Sequence, residues 1–183
     1  MIVEGLNHLW PTPVLKTKFE TPSGVIEHLL TEYGDANKKS ANVSGDNLFD
    51  DLELVWFRQN IVVPVFKQYC DPYFDLDKKD YDLRAWLTGY GTGYAMPKHN
   101  HSGSHLSAVF YLLVDNKGGE LILHDPRTNA NRGYKDEFNN MFEMERFKPE
   151  TNDVIMFPSF LYHNVETYTG SLRLAMPVDL ILY

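Results

Sequence analysis

The stretch His105-Leu106-Ser107-Ala108-Val109-Phe110-Tyr111-Leu112-Leu113-Val114 decides the fold. Successive side chains of a strand point to opposite sides. Leu106, Ala108, Phe110, Leu112 and Val114 then form a wholly apolar face that builds core. His105, Ser107, Val109, Tyr111 and Leu113 form the other face, polar at one end and suited to line a pocket. The same texture holds from Tyr81 onward: short runs of Val, Leu, Ile, Phe and Tyr separated by Gly, Asn, Asp and Pro. Strands are expected at Asp82 to Tyr90, Ala95 to His99, Leu106 to Val114, Glu120 to His124, Met141 to Phe147, Asp153 to Phe157, Tyr162 to Glu166 and Leu172 to Leu182. Strands in this number and length fit a double-stranded β-helix, the two-sheet jelly roll.

Upstream the period lengthens. Val25, Ile26, Leu29, Leu30 and Tyr33 recur at helical spacing, with Ser23 as a candidate cap and Gly34 as a stop. A second helical stretch runs from Asp50 to Tyr69 with Leu52, Val55, Trp56, Gln59 and Val63 on one side, and Pro64 should kink or split it. The polar segment Lys38 to Asn47 between them reads as a loop. The expected architecture is mainly β with N-terminal helices: a single domain over residues 1–183, in which 1–80 is mostly helical support and 81–183 the jelly-roll core.

Composition limits the functions open to this fold. A chain of 183 residues with 43% apolar content buries enough surface to need no disulfides. Cys70 is alone, which excludes an internal disulfide, a Cys-x-x-Cys redox pair and a multi-cysteine zinc site. A net charge of −8 is a poor footprint for binding phosphate backbones, so nucleic acid is not expected as a partner. The first residues lack the basic start and apolar core of a signal peptide, and no run approaches a membrane span, so the chain is read as cytoplasmic. The sequon Asn42-Val43-Ser44 is then a chance match.

Chemistry concentrates in the strand half, which holds five of the seven histidines. In His99-Asn100-His101-Ser102-Gly103-Ser104-His105, residues two apart on an extended segment can present imidazoles to one point. Neutral imidazole suits iron, zinc, copper or nickel, although such a pair also serves as ordinary surface or hydrogen-bonded histidines. Downstream, Asp153 to Phe157 is an apolar strand, Pro158-Ser159 a corner, and His163 starts the next strand. Ten residues later Arg173 lies among apolar neighbours, where an unpaired charge would cost several kcal/mol, so it needs an anion or a route to solvent. A small dicarboxylate would fit.

The ordered set His99-x-His101, Phe110-Tyr111-Leu112, Gly118-Gly119-Glu120-Leu121, Phe157-Pro158-Ser159, His163 and Arg173 resembles the Fe(II)/2-oxoglutarate-dependent oxygenases. Within them it is similar to the prolyl-hydroxylase-like branch and to a family of 2-oxoglutarate oxygenases of unassigned substrate, which shares Ser107-x-x-x-Tyr111 and Asp125-Pro126-Arg127. The resemblance spans roughly Arg84 to Ile181 and leaves the helical half aside. It implies a dioxygenase that uses Fe(II) and 2-oxoglutarate to hydroxylate a peptidyl proline, an amino acid or another small metabolite. It also implies His99 and His163 as iron ligands, and Arg173 with Tyr111 on the distal carboxylate of 2-oxoglutarate.

The usual His-x-Asp is His99-Asn100-His101 here, so the third ligand is open. His101 is favoured on proximity; Asp125 arriving from a neighbouring strand, or water, are the alternatives. His105 is expected behind the ligands or lining the pocket, unless a cupin-like spacing makes it a ligand. His124 is read as structural, and His8 and His28 carry no signal. Asp125-Pro126-Arg127 is also ordinary turn chemistry. Trp86, Tyr90 and Tyr94 are candidates to line a channel, or core, and Arg127 to Met141 has the polar character of a lid. Two rival readings stand beside the oxygenase. A cupin-like three-histidine metalloenzyme would bind metal without 2-oxoglutarate, and a non-catalytic jelly-roll module would bind neither. Oligomeric state is not legible.

Overall fold

A computed structural model of the chain describes residues 11–33, 47–127 and 144–183. The Arg127 to Met141 segment read as a lid, apart from Arg127 itself, and most of the Lys38 to Asn47 loop lie outside the described residues, as do His8, Gly34 and the first three residues of the Met141 to Phe147 strand.

Two sheets face each other. The major sheet runs in the order β1 (Leu15–Lys18), β8 (Asp153–Pro158), β5 (Leu106–Leu113), β10 (Arg173–Leu182) and β2 (Tyr81–Ala85), with β3 (Thr88–Tyr90) also paired to β10. The minor sheet runs β4 (Met96–His99), β9 (His163–Val165), β6 (Leu121–His124) and β7 (Met144–Phe147). All pairings are antiparallel. This is the jelly roll expected, with two additions. Trp86 and Leu87 break the first expected strand into β2 and β3. β1, too short to show a period, adds to the edge at β8, where Lys16 and Lys18 lie 3.2 and 3.3 Å from the buried Asp153 carboxylate.

Strand alternation sorts the core into two layers. Ala108, Phe110 and Leu112 of β5, Val154 and Met156 of β8, and Leu174, Met176, Val178 and Leu180 of β10 point outward from the major sheet. They pack under the helices, where Phe19, Phe57 and Phe110 meet edge to face with centroids 5.4–6.1 Å apart. The opposite faces carry Tyr111, Ile155, Phe157 and Ala175, which meet Leu121, Leu123 and Val165 of the minor sheet. Parity along β10 also turns Arg173 and Asp179 away from the helices, toward the space between the sheets.

The helical layer holds α1 (Val25–Tyr33), one α turn at α2 (Val55–Phe57), a π turn at Arg58–Val62 and α3 (Val63–Cys70). Pro64 does not split the stretch, which stays helical from Val55 to Cys70; the π turn lies immediately before it, and its missing N–H falls in the first turn of α3. The expected apolar stripe is corrected. Leu52 and Trp56 are 83% and 57% exposed, while Leu54, Phe57, Val62, Phe66 and Cys70 are buried. A 3-10 turn at Leu52–Leu54 followed by the π turn changes the residues per turn, so a stripe read at constant period loses phase. Among the described residues no helix is long and apolar enough to cross a membrane.

Candidate active site

At one end of the inter-sheet space, β4 ends at His99 and β9 begins at His163, and the two residues are cross-strand partners. The turn after β4 returns His101, held by its N–H to the Ser159 carbonyl at 3.1 Å. Ring centroids of the three histidines lie 4.3–5.4 Å apart, and one ring nitrogen from each falls within 4.8 Å of the others.

Their hydrogen bonds fix which nitrogen is free. His99 Nδ1 lies 2.8 Å from the Pro97 carbonyl, His163 Nδ1 3.0 Å from the Leu161 carbonyl and His101 Nδ1 2.7 Å from Asp179 Oδ1. Carbonyl and carboxylate oxygens only accept, so each Nδ1 carries a proton, and Nε2 is the ring nitrogen left to meet a metal. Burial pushes the His163 imidazole down to about 3, only partly opposed by its bond to Leu161, and burial also lowers His99. Both are therefore neutral at ordinary pH. Three imidazoles with Nδ1 engaged elsewhere and Nε2 left for a shared point fit a divalent transition metal.

Asp179 is the residue that sequence reasoning missed. Its Oδ1 accepts from His101 and from Ser107 Oγ at 2.6 Å, and its Oδ2 accepts from Ser104 Oγ at 2.9 Å. Ser159 Oγ lies 2.8 Å from Ser107 Oγ and extends the network. The signal available is an acid between Val178 and Leu180 in an apolar strand, the same kind of signal that singles out Arg173.

The other end of the cavity is cationic. Arg173 is 1% exposed, donates from Nη1 to the Gly119 carbonyl, and lies over the rings of Tyr111 and Tyr90 at 4.8 and 5.1 Å. Its Nε and the Tyr111 hydroxyl have no well-formed hydrogen bond among the described residues. Burial raises the Tyr111 hydroxyl's pKa, which keeps it a donor. An orphaned hydroxyl beside a buried guanidinium with an orphaned Nε is what a carboxylate would satisfy. One cavity connects both ends, with Trp86, Tyr90, Val109 and Ala175 in its walls. Tyr94 packs on Tyr90 at 4.7 Å.

The remaining candidates are placed elsewhere. Among the described residues the only metal-compatible cluster of His, Cys, Asp and Glu is the histidine trio. Asp125 is held by Arg127, whose Nε lies 2.9 Å from Oδ1. His105 Nδ1 accepts from the Leu182 amide at 3.1 Å, and His124 Nε2 pairs with Asn164 Oδ1 at 2.7 Å.

A family model described as "Putative 2OG-Fe(II) oxygenase" matches residues 84–179. No curated protein matches the sequence. Among solved structures, a prolyl hydroxylase from Trichoplax adhaerens, in complex with a hypoxia inducible factor oxygen degradation domain peptide fragment, is 15% identical with a TM-score of 0.62, covering 92% of this chain and 83% of that one. HygX from Streptomyces hygroscopicus, solved with nickel and 2-oxoglutarate bound, is 12% identical with a TM-score of 0.61, covering 92% and 82%. A 2OG-Fe(II) oxygenase family oxidoreductase from Burkholderia pseudomallei is 16% identical with a TM-score of 0.54; the match covers 70% of this chain but only 56% of that one. At these identities the solved structures speak for the fold.

Proposed function

The chain belongs to the 2OG-Fe(II) oxygenase family matched over residues 84–179, and from that premise we propose a dioxygenase that hydroxylates a peptide or small-molecule substrate. In this reading His99, His101 and His163 hold Fe(II), and Arg173 with Tyr111 binds the distal carboxylate of 2-oxoglutarate. When bound, iron and 2-oxoglutarate supply the activation of dioxygen for attack on an unactivated C–H bond, with succinate and carbon dioxide as coproducts. The observation that carries the reading is the pairing, in one cavity, of three clustered imidazoles with a buried guanidinium that has an orphaned Nε.

Each side chain has a definite task. The Pro97 and Leu161 carbonyls and the Asp179 carboxylate aim the imidazoles. Arg173 and Tyr111 set the orientation of the dicarboxylate by charge and hydrogen bonding. Trp86, Val109 and Ala175 exclude water from the walls between the two ends. The chain is taken to act as one domain in the cytoplasm.

Anaerobic titration of Fe(II)-loaded protein with 2-oxoglutarate tests this. A visible metal-to-ligand charge-transfer band is expected. The third imidazole in place of a carboxylate is the one feature that favours the cupin-like rival, and metal binding with no band would assign the chain there.

A further inference from the structure

Asp179 is 6% exposed, and among the described residues it pairs with His101 and with no lysine or arginine. A buried carboxylate with no lysine or arginine beside it is costly, and a dication held by imidazole ligands alone meets no negative charge among its ligands. The two imbalances lie on the two sides of one imidazole ring. Ser104 and Ser107 hold the carboxylate in place from β5 and the loop before it, so the acid reaches His101 from the major sheet while His99 and His163 come from the minor sheet.

We infer that Asp179 is the positioning residue and counter-charge of the metal centre: by accepting the His101 Nδ1 proton it locks the ring with Nε2 toward the metal, and it supplies through that ring the negative charge that a directly ligating carboxylate would otherwise bring. Hydrogen bonding of this kind raises the basicity of the ligand nitrogen and fixes its direction. The inference rests on the metal-binding reading above. It adds a residue 78 positions from His101 that acts on iron without touching it.

Co(II) is the probe, its affinity measured by chelator competition and its site by visible absorption, with melting of the metal-free protein as control. Asp179→Asn keeps the shape and an acceptor oxygen while removing the charge. It should weaken Co(II) by about 10–100-fold and shift the visible bands, with the metal-free protein still folded. In a His101→Asp background, where the charge is at the metal and no imidazole remains to orient, Asp179→Asn should cost less than about threefold, which is the coupling expected of residues that act as a unit. Equal losses in both backgrounds, or a metal-free Asp179→Asn protein that no longer folds, would make Asp179 a structural acid and overturn the inference. Unchanged Co(II) affinity with wild-type binding intact would overturn it too. Failure of the wild-type protein itself to bind Co(II) would instead remove the metal-binding reading, and the inference with it.

Discussion

His99 and His163 face each other across the β4–β9 pair with ring centroids 4.3 Å apart, so backbone pairing sets the distance between two of the three converging imidazoles. Replacing either by Ala is expected to abolish stable Fe(II) loading. The fold should lose only about 1–2 kcal/mol, the worth of the hydrogen bond to Pro97 or Leu161 and a little packing. Metal analysis after anaerobic dialysis is the check, and stoichiometric iron in His163→Ala would remove the assignment.

Arg173→Gln should weaken 2-oxoglutarate by about 2–5 kcal/mol while leaving iron in place, because the dicarboxylate would be desolvated without its cation. Tyr111→Phe should cost about 1.5–3 kcal/mol, one hydrogen bond to a charged group. Calorimetry on the metal-loaded protein separates the two. An Arg173 variant with wild-type affinity would move the anchor elsewhere, with Arg127 the next residue to test.

Gly119 precedes β6 with φ of +72°, a conformation that side chains disfavour, and an added Cβ would run into Arg173 Nη1. Gly119→Ala is therefore expected to displace the guanidinium and reduce 2-oxoglutarate affinity with Fe(II) affinity unchanged. A loss of iron as well would show that the strain spreads to the far end of the cavity.

What the sequence makes legible follows from the range of the interaction. Alternation is local, so Leu106 to Leu112 divides as read into a core face and a pocket face, but at the irregularity opposite Leu174 and Ala175 the parity slips, and Leu113 packs with the helix-side core while Val114 packs with the inter-sheet one. Arg173 is legible because a charge among apolar neighbours must be compensated. Asp179 meets the same criterion, but its meaning lies in a partner 78 residues away that no local pattern names. β1 is hidden for a different reason: its four residues, two of them lysines, make a strand only through β8 and Asp153. The phase of the second helical stretch is lost because 3-10 and π turns alter the period that was being read.

Asp51 ties α1 to the turns that follow the loop. Burial alone would raise its carboxyl, but hydrogen bonds from His28, Tyr33 and the Glu53 amide outweigh burial and hold it below the usual carboxylate value of 3.8. A depressed folded-state pKa gives stability that is present above the unfolded value and is lost as pH falls through the folded one. Asp51→Ala should cost about 1–2 kcal/mol at neutral pH, from the lost cap and its side-chain partners, and should make the acid limb of the stability curve shallower. Urea melts between pH 7 and pH 3 give both numbers. An acid limb identical to that of the wild-type protein would locate the acid sensitivity in another carboxylate, Asp153 first.

Because His99 and His163 belong to the minor sheet and Arg173 and Tyr111 to the major one, a molecule bound at both ends of the cavity would clamp the two sheets together. Occupancy then becomes a mechanical brace on the whole β-sandwich. By mass action a ligand at 100 times its dissociation constant adds about 2.7 kcal/mol to stability. Melting temperature, read across a panel of 2-oxo acids and then of peptides and amino acids on the metal-loaded protein, thereby turns the division of the site between two sheets into a substrate screen that requires no turnover.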